Sequence, residues 1–252
     1  MLLYWYEIAS VDFSFADTVG ILSVGSCEQH GEYLPVGTDG LIGWRLAQAA
    51  GERSEGKTLL LPPQQIGYSP HHRAFPGCLT LSQETMFRYL LEICRCAFDN
   101  GLQKLLLLNS HGGNQSCLQT VVNELGAQYD YRPLLVRYWD LIADTAANLR
   151  SSGSGGMGHA GEFETSVMQY LYPETVHPER FGQRACAPGN QYHNPDLFAR
   201  NAVYQYKPFH EYDRRGNIGQ PQLACAEKGE KFFRAAADEL AKLIDFYRHN
   251  NF

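Results

Sequence analysis

Thiolate pairs are missing from this 252-residue chain: its seven cysteines, an odd number scattered from Cys27 to Cys225, contain no C-x-x-C motif. That excludes a thiolate zinc site, argues against a disulfide framework and leaves reduced thiols. Cys94 and Cys96, two apart on an expected helix, diverge by roughly 200° and share no metal. Cys27 reads as a small buried apolar residue. A G-K-[ST] phosphate loop and a G-x-S-x-G nucleophile elbow are also absent. So is any basic excess: the formal charge is -6 and the Lys and Arg residues are dispersed, so nucleic acid is not an expected partner. No apolar run approaches the thickness of a bilayer, the LLLL stretch at 105–108 being far too short. Residues 1–10 lack the basic start of a signal peptide, and the expectation is a soluble, cytoplasmic protein with no membrane partner.

What is present is enough apolar residue, 44% of the chain, for one sizeable core and a single domain over 1–252. Short apolar runs alternate with amphipathic ones. Strands are expected at 20–25, 58–61, in KLLLLN and in PLLVRY, and helices at 41–50, from an N-cap at Ser82 to Gly101, at 115–128, at 139–150, from near Glu162, and in the C-terminal EKGEKFFRAAADELAKLIDFYRH. This βαβ rhythm predicts an α/β fold with a parallel sheet covered by helices on both faces. Two segments interrupt it. SSGSGGMGHAGE, at 151–162, is glycine-rich enough to predict a mobile loop, and 181–223, rich in Tyr, Asn, Pro and Gly, predicts a lid or a subunit contact.

Carboxylates and imidazoles collect where strands or loops end. Glu28, His30 and Asp39 follow the first expected strand, and alternation along an extended segment turns Glu28 and His30 to the same side. His111, in NSHGGN, follows KLLLL, the end of a strand at which open α/β sheets gather ligands. HAGEFETS adds His159, Glu162 and Glu164. Each cluster alone has a plainer reading: a polar loop, a glycine turn, or acids favoured in the first turn of a helix. Together they present oxygen and imidazole donors without thiolate, a set suited to zinc, manganese or iron(II). Two divalent ions would be neutralised by Glu28, Asp39, Glu164 and a shared hydroxide, and metal lowers the pKa of water from about 16 towards 7.

The segments VGSCEQHGEYLPVGTD, HHRAFPGCLTLS, NSHGGN, HAGEFETS and YPETV, spread over roughly residues 20–176, resemble the creatininase (creatinine amidohydrolase) family of dinuclear metal hydrolases. The resemblance implies a three-layer α/β/α sandwich with a mostly parallel central sheet, commonly assembled as a hexamer. It implies two divalent ions (Zn, Mn or Fe), one bound by Glu28 and His111, the other by His30, with Asp39 bridging. Creatinine-hydrolysing members carry a glutamate ligand two positions after the NSHGGN-type histidine, where this chain has Gly113; Glu164 is the expected replacement, with Glu162 behind it on the substrate side. Glu162 is the second candidate for that ligand and is otherwise expected to bind substrate; creatinine-hydrolysing members carry another glutamate at the position of Gly158. His159 corresponds to a proton shuttle and His72 to a residue lining the substrate pocket, while His71 and Arg73 are expected to face solvent.

The implied activity is metal-dependent hydrolysis of a C–N bond in a small cyclic amide or formamide. Relatives acting on a ring C–C bond of an oxidised inositol or on a peptide precursor supply alternatives. Two readings from other classes are a non-catalytic metal- or ligand-binding homologue and a nucleotide-phosphate binder using the glycine loops.

Overall fold

Three of the five strands are apolar enough to be buried in the sheet interior, and the two at the edges are short and only partly buried. The computed structural model describes residues 1–250. Its strands β1 (Leu2–Tyr4), β2 (Thr18–Val24), β3 (Lys57–Leu60), β4 (Lys104–Asn109) and β5 (Leu134–Arg137) form one parallel sheet in the order β1-β3-β2-β4-β5. In β4 the leucines alternate between two cores. Leu106 and Leu108 join Val19, Ile21 and Leu60 on one face, while Leu105 and Leu107 join Leu22, Val24 and Leu61 on the other. A strand buried on both sides has to be apolar throughout, which is why KLLLL shows no polar alternation.

Helices α1 (Thr38–Arg53), α5 (Glu162–Leu171) and α6 (Ala226–His249) cover the first face, and α2 (Gln83–Asp99) and α3 (Gln115–Tyr129) the second. This is the expected three-layer sandwich. Ser82 caps α2 as expected, its hydroxyl accepting from Thr85 N at 3.1 Å. The chain leaves β2 towards α1 on one face and β4 towards α3 on the other, so a crevice opens between the adjacent carboxyl ends of β2 and β4. No helix among the described residues is long and apolar enough to cross a membrane.

Three expectations need correction. Strand β1 was too short to stand out in the sequence and exists by pairing Leu2–Tyr4 with Thr58, Leu59 and Leu60. The helix expected over 139–150 is a tight 3₁₀ turn at Tyr138–Ile142 followed by a short α4 (Ala143–Leu149), because the turn buries Tyr138, Trp139 and Ile142 into the core that α6 also fills. The stretch expected to be a mobile loop is packed: residues 155–161 are buried, and Asp196 Oδ2 accepts from Gly155 N at 2.9 Å and Met157 N at 3.3 Å. Its glycines permit close backbone approach, since a Cβ on Gly155 would lie 2.2 Å from Ala187 O. The 181–223 segment is irregular, as expected, and several of its side chains line the crevice.

Helices α5 and α6 meet at Gly229, where a Cβ would lie 1.9 Å from Ser166 O and 2.5 Å from its carbonyl carbon. Alanine ordinarily favours a helix over glycine by up to about 1 kcal/mol, but overpacking against rigid backbone costs about 1–3 kcal/mol and displaces a whole helix here. Gly229→Ala is therefore expected to lower the urea-unfolding free energy by about 2 kcal/mol. An unchanged or higher midpoint would show that the helices separate without cost.

Candidate metal centre

The loop leaving β2 stays extended through residues 28–30, so Glu28 and His30 project into the crevice together while the intervening Gln29 turns elsewhere. Asp39 enters from the first turn of α1, where a carboxylate is favoured by the helix dipole. His111 arrives from the end of β4, two residues past Asn109, whose side chain accepts from His111 N at 3.1 Å. All four are buried, Glu28 and His30 completely.

The side chains meet closely. Asp39 faces two imidazoles with different oxygens: Oδ1 lies 3.1 Å from His30 Nε2, and Oδ2 lies 3.1 Å from His111 Nδ1. Glu28 Oε2 is 3.2 Å from His111 Nε2 and also accepts from the Ser69 hydroxyl. His30 Nδ1 is 3.1 Å from the Glu28 carbonyl, so the ring donates there and turns Nε2 towards Asp39. Yet Glu28 Oε1 and Asp39 Oδ2 make no hydrogen bond although both are inaccessible to solvent. Buried carboxylate oxygens without donors are costly, and a cation is the partner that such atoms fit. Glu28, His30 and Asp39 offer ligand atoms within 4.8 Å of one another, as do His30, His159 and Glu164.

Protons do the work of cations in the metal-free protein. Burial alone would lower the His30 pKa, but Asp39 raises it to about 9; burial likewise opposes Glu28 at His111, whose pKa ends well above the ordinary value. Glu28 in turn is held well below the carboxylate range, His111 outweighing the effect of its burial. Binding a metal at these imidazoles therefore requires that they release protons.

HAGE, at 159–162, builds the third wall. Ala160 sits at φ +51, and both of its backbone groups are engaged: its N–H donates to Glu164 Oε2 at 2.6 Å and its carbonyl accepts from Tyr33 at 2.5 Å and Thr165 at 3.2 Å. This strained turn holds His159 and Glu164 over the cluster, with the His159 and His30 rings 4.2 Å apart. His159 Nε2 donates to the Gln29 carbonyl at 2.6 Å, leaving Nδ1 as the open nitrogen, 3.6 Å from Glu28 Oε1. Burial and the neighbouring His30 charge push its pKa down to about 3. Glu164, by contrast, is pushed up to about 7 by burial that His30 only partly offsets.

Glu162 stands elsewhere than expected. Its carboxylate accepts from Ser151 N at 2.8 Å, Ser152 N at 2.7 Å and the Lys228 ammonium, so it anchors the glycine-rich stretch rather than reaching substrate. His72 is fully buried, with Nε2 3.2 Å from Glu28 Oε1 and its ring 4.1 Å from that of Phe209. His71, expected in solvent, instead lines the crevice and stacks parallel on His111 at 5.5 Å. Cys27, expected to be buried, is partly exposed and its thiol approaches Gly77 O at 3.6 Å.

Sequence reasoning passed over Gln29, Ser69, Tyr33 and Phe209, whose residue types carried no chemical signal of their own. At Gly113 a Cβ would lie 2.4 Å from His111 Nε2, and at Gly158 one would lie 2.6 Å from Ile218 O. Neither glycine position has room for a glutamate as the backbone stands. Glu28, Asp39, His111, His159 and Glu164 floor a cleft of about 760 Å³, whose walls include Trp139, Tyr204, Tyr206 and Tyr212.

This geometry has known counterparts. The family model described as creatinine amidohydrolase matches residues 2–244. The chain belongs to the creatininase family. It is similar to a mycofactocin precursor peptide peptidase of Mycobacterium ulcerans, 31% identical over 89% of this chain and 83% of that protein. It is also similar to the creatinine amidohydrolase of Pseudomonas putida, 28% identical over 90% and 89% of the two chains. A solved structure titled as a manganese creatininase superposes with a TM-score of 0.83 at 26% identity, covering 99% of this chain and 100% of that one. The chain is thus a creatininase-family hydrolase with a candidate metal site.

The raised Glu164 pKa has a consequence for stability. Folded Glu164 keeps its proton to about pH 7 whereas the unfolded side chain releases it near 4.5, so the folded state binds more protons in between. Stability of the metal-free protein contributed by this group therefore falls as pH rises from about 4.5 to about 7, by up to about 3 kcal/mol, and stays lost above. Relative to the wild type, metal-free Glu164→Gln is expected to gain stability across that window when both are unfolded in urea. Parallel pH profiles would refute the assignment.

Proposed function

We propose that this protein hydrolyses an amide-type C–N bond of a small molecule, a cyclic amide or formamide, at a centre for two divalent ions. The observation that carries the reading is the pair of buried carboxylate oxygens, Glu28 Oε1 and Asp39 Oδ2, that lack hydrogen bonds among converging imidazoles. Glu28 and His111 would hold one ion and His30 the other; Asp39, whose oxygens face separate histidines, would serve both. Glu164, within ligand reach of His30, would complete the second site in place of the side chain that Gly113 lacks. When bound, such ions polarise a carbonyl and make water acidic enough to yield a nucleophile near neutral pH. Zinc, manganese and iron(II) all suit these donors.

The chain's own part is positioning and proton transfer. His159 is neutral at pH 7, anchored through Nε2–H, and offers Nδ1 to take a proton from water and return it to the departing nitrogen. Phe209 lies 4.1 Å from the His72 ring and 5.1 Å from that of His159, shielding this side of the cluster from solvent. The aromatic walls of the cleft give a planar amide a surface to rest on.

A peptide precursor is the second reading. A cleft of about 760 Å³ lined by Gln119, Asn194, Asn201 and Gln205 has room and amide groups for more than one small ring, and a relative is named as a peptide peptidase. Against creatinine itself stand Gly113 and Gly158, which lack the acids of creatinine-hydrolysing members. We propose a homohexamer, the assembly that the family resemblance implies, with the exposed Tyr192 and Tyr204 of the irregular segment available for subunit contact.

Chelation should abolish hydrolysis across a panel of lactams, formamides and short peptides, and zinc or manganese should restore it. Ion binding with no turnover on any member would favour a non-catalytic homologue. Asp39→Ala is expected to lose both ions together by elemental analysis; loss of one alone would overturn its shared role. His159→Asn should keep both ions while kcat falls about 10²–10⁴-fold.

A further inference from the structure

Gln29 lies between two proposed ligands, yet its side chain turns away from the ions and is buried. Its amide orientation is fixed independently of any histidine: Oε1 accepts from Gly31 N at 2.8 Å, which leaves the NH₂ group to face the opposite way. That group donates to Gly216 O at 2.7 Å and lies 2.7 Å from His72 Nδ1. Gly216 has φ +82, and a Cβ there would lie 2.2 Å from Gln29 Oε1, so glycine is what lets the irregular segment approach this closely. An amide nitrogen has no lone pair to offer, so His72 Nδ1 is the acceptor of this hydrogen bond and, in the neutral ring, the proton sits on Nε2. His72 Nε2 stands 3.2 Å from Glu28 Oε1 without making a hydrogen bond to it.

By distance alone, Glu28, His72 and His159 form a group able to hold a cation. A protonated ring nitrogen cannot ligate one. We propose that Gln29 is a positioning residue that fixes His72 as the Nε2–H tautomer, keeping it out of the ion-binding set. The main chain of the same residue sets the complementary choice, because its carbonyl takes the His159 Nε2–H and leaves Nδ1 open. Two adjacent histidines of similar burial thus receive opposite duties from one residue: His72 keeps a proton on Nε2 and His159 presents a lone pair at Nδ1. The consequence for the ions rests on the reading of Glu28 as a ligand, but the tautomer does not.

Long-range ¹H–¹⁵N correlation spectra of the protein labelled at histidine, metal-free and zinc-loaded, test this directly. The expected wild-type pattern is His72 protonated at Nε2 and unprotonated at Nδ1, with no zinc-induced ligation shift. Gln29→Glu replaces the donor by an acceptor of nearly the same shape, so the His72 proton should move to Nδ1. The His159 tautomer, set by a main-chain carbonyl, should persist and reports that the fold is intact. Gln29→Leu, which neither donates nor accepts, should leave His72 as a mixture of both forms. Wild-type His72 protonated at Nδ1, His72 bound to zinc, or an unchanged His72 in Gln29→Glu with the His159 signal retained would each overturn the proposal. Absence of turnover on every amide would sink the hydrolase reading and leave the tautomer result standing.

Discussion

Three carboxylates buried within reach of one another constrain everything around them. Glu28, Asp39 and Glu164 are at most 6% exposed and share one cleft floor, where like charges are poorly screened. The protein answers with imidazoles: His30 and His111 take protons, Glu28 and Asp39 stay ionised, and Glu164 tends to remain neutral. This arrangement is a compromise, because two carboxylate oxygens still lack hydrogen bonds. Divalent ions at the proposed centre would resolve it, displacing protons from the imidazoles and meeting the orphaned oxygens at once.

Such a cluster holds its shape only because the groups around it are fixed from outside. The sheet brings β2 and β4 side by side, Val24 opposite Asn109, so that loops separated in sequence by α1, β3, α2 and β4 emerge at one place. Behind them, hydrogen bonds orient each ring: the Glu28 carbonyl for His30, the Gln29 carbonyl for His159, the Gln29 amide for His72. Glycines then bring backbone to backbone where side chains would intrude. Gly219 would place a Cβ 2.3 Å from Gly156 O, which ties the irregular segment to the turn carrying His159. Flexibility was the natural reading of that many glycines, but close packing uses the same residue for the opposite end.

The sandwich and most of its elements were legible because burial imposes periodicity. KLLLLN had to be a strand with two covered faces, and the i, i+3, i+4 pattern after Ser82 had to be a helix with one. Strand β1 was not legible, since Leu2–Tyr4 becomes a strand only by pairing with β3. At the site, Glu28, His30, Asp39, His111, His159 and Glu164 were all named in advance from residue type and position at element ends, and the fold brings them into one cluster. Glu162 misled because acid chemistry alone does not say which way a side chain points; on α5 it lies two residues before Glu164 and so faces another side, towards Lys228. His71 and His72 were exchanged for a similar reason. In a tight turn adjacent residues diverge, and only the packing of Phe209 over the pair decides which is buried.

The same packing decides which side chains can stand beside His111. A glutamate ligand presented from the position of Gly113 would need a Cβ where His111, His71 and the Tyr68 carbonyl already stand. His71 can stack on His111 only because that side chain is absent, so losing one ligand and gaining a ring at the cleft floor are a single change. Glu164, which offers a ligand atom within 4.8 Å of those of His30 and His159, sits on a turn tied down through Ala160 and Tyr33. In the proposed centre, that carboxylate charge would come from the start of α5 instead of from the β4 loop. In this chain the space beside His111 is taken by the His71 ring, and an imidazole pair is what a substrate in the proposed site would meet there.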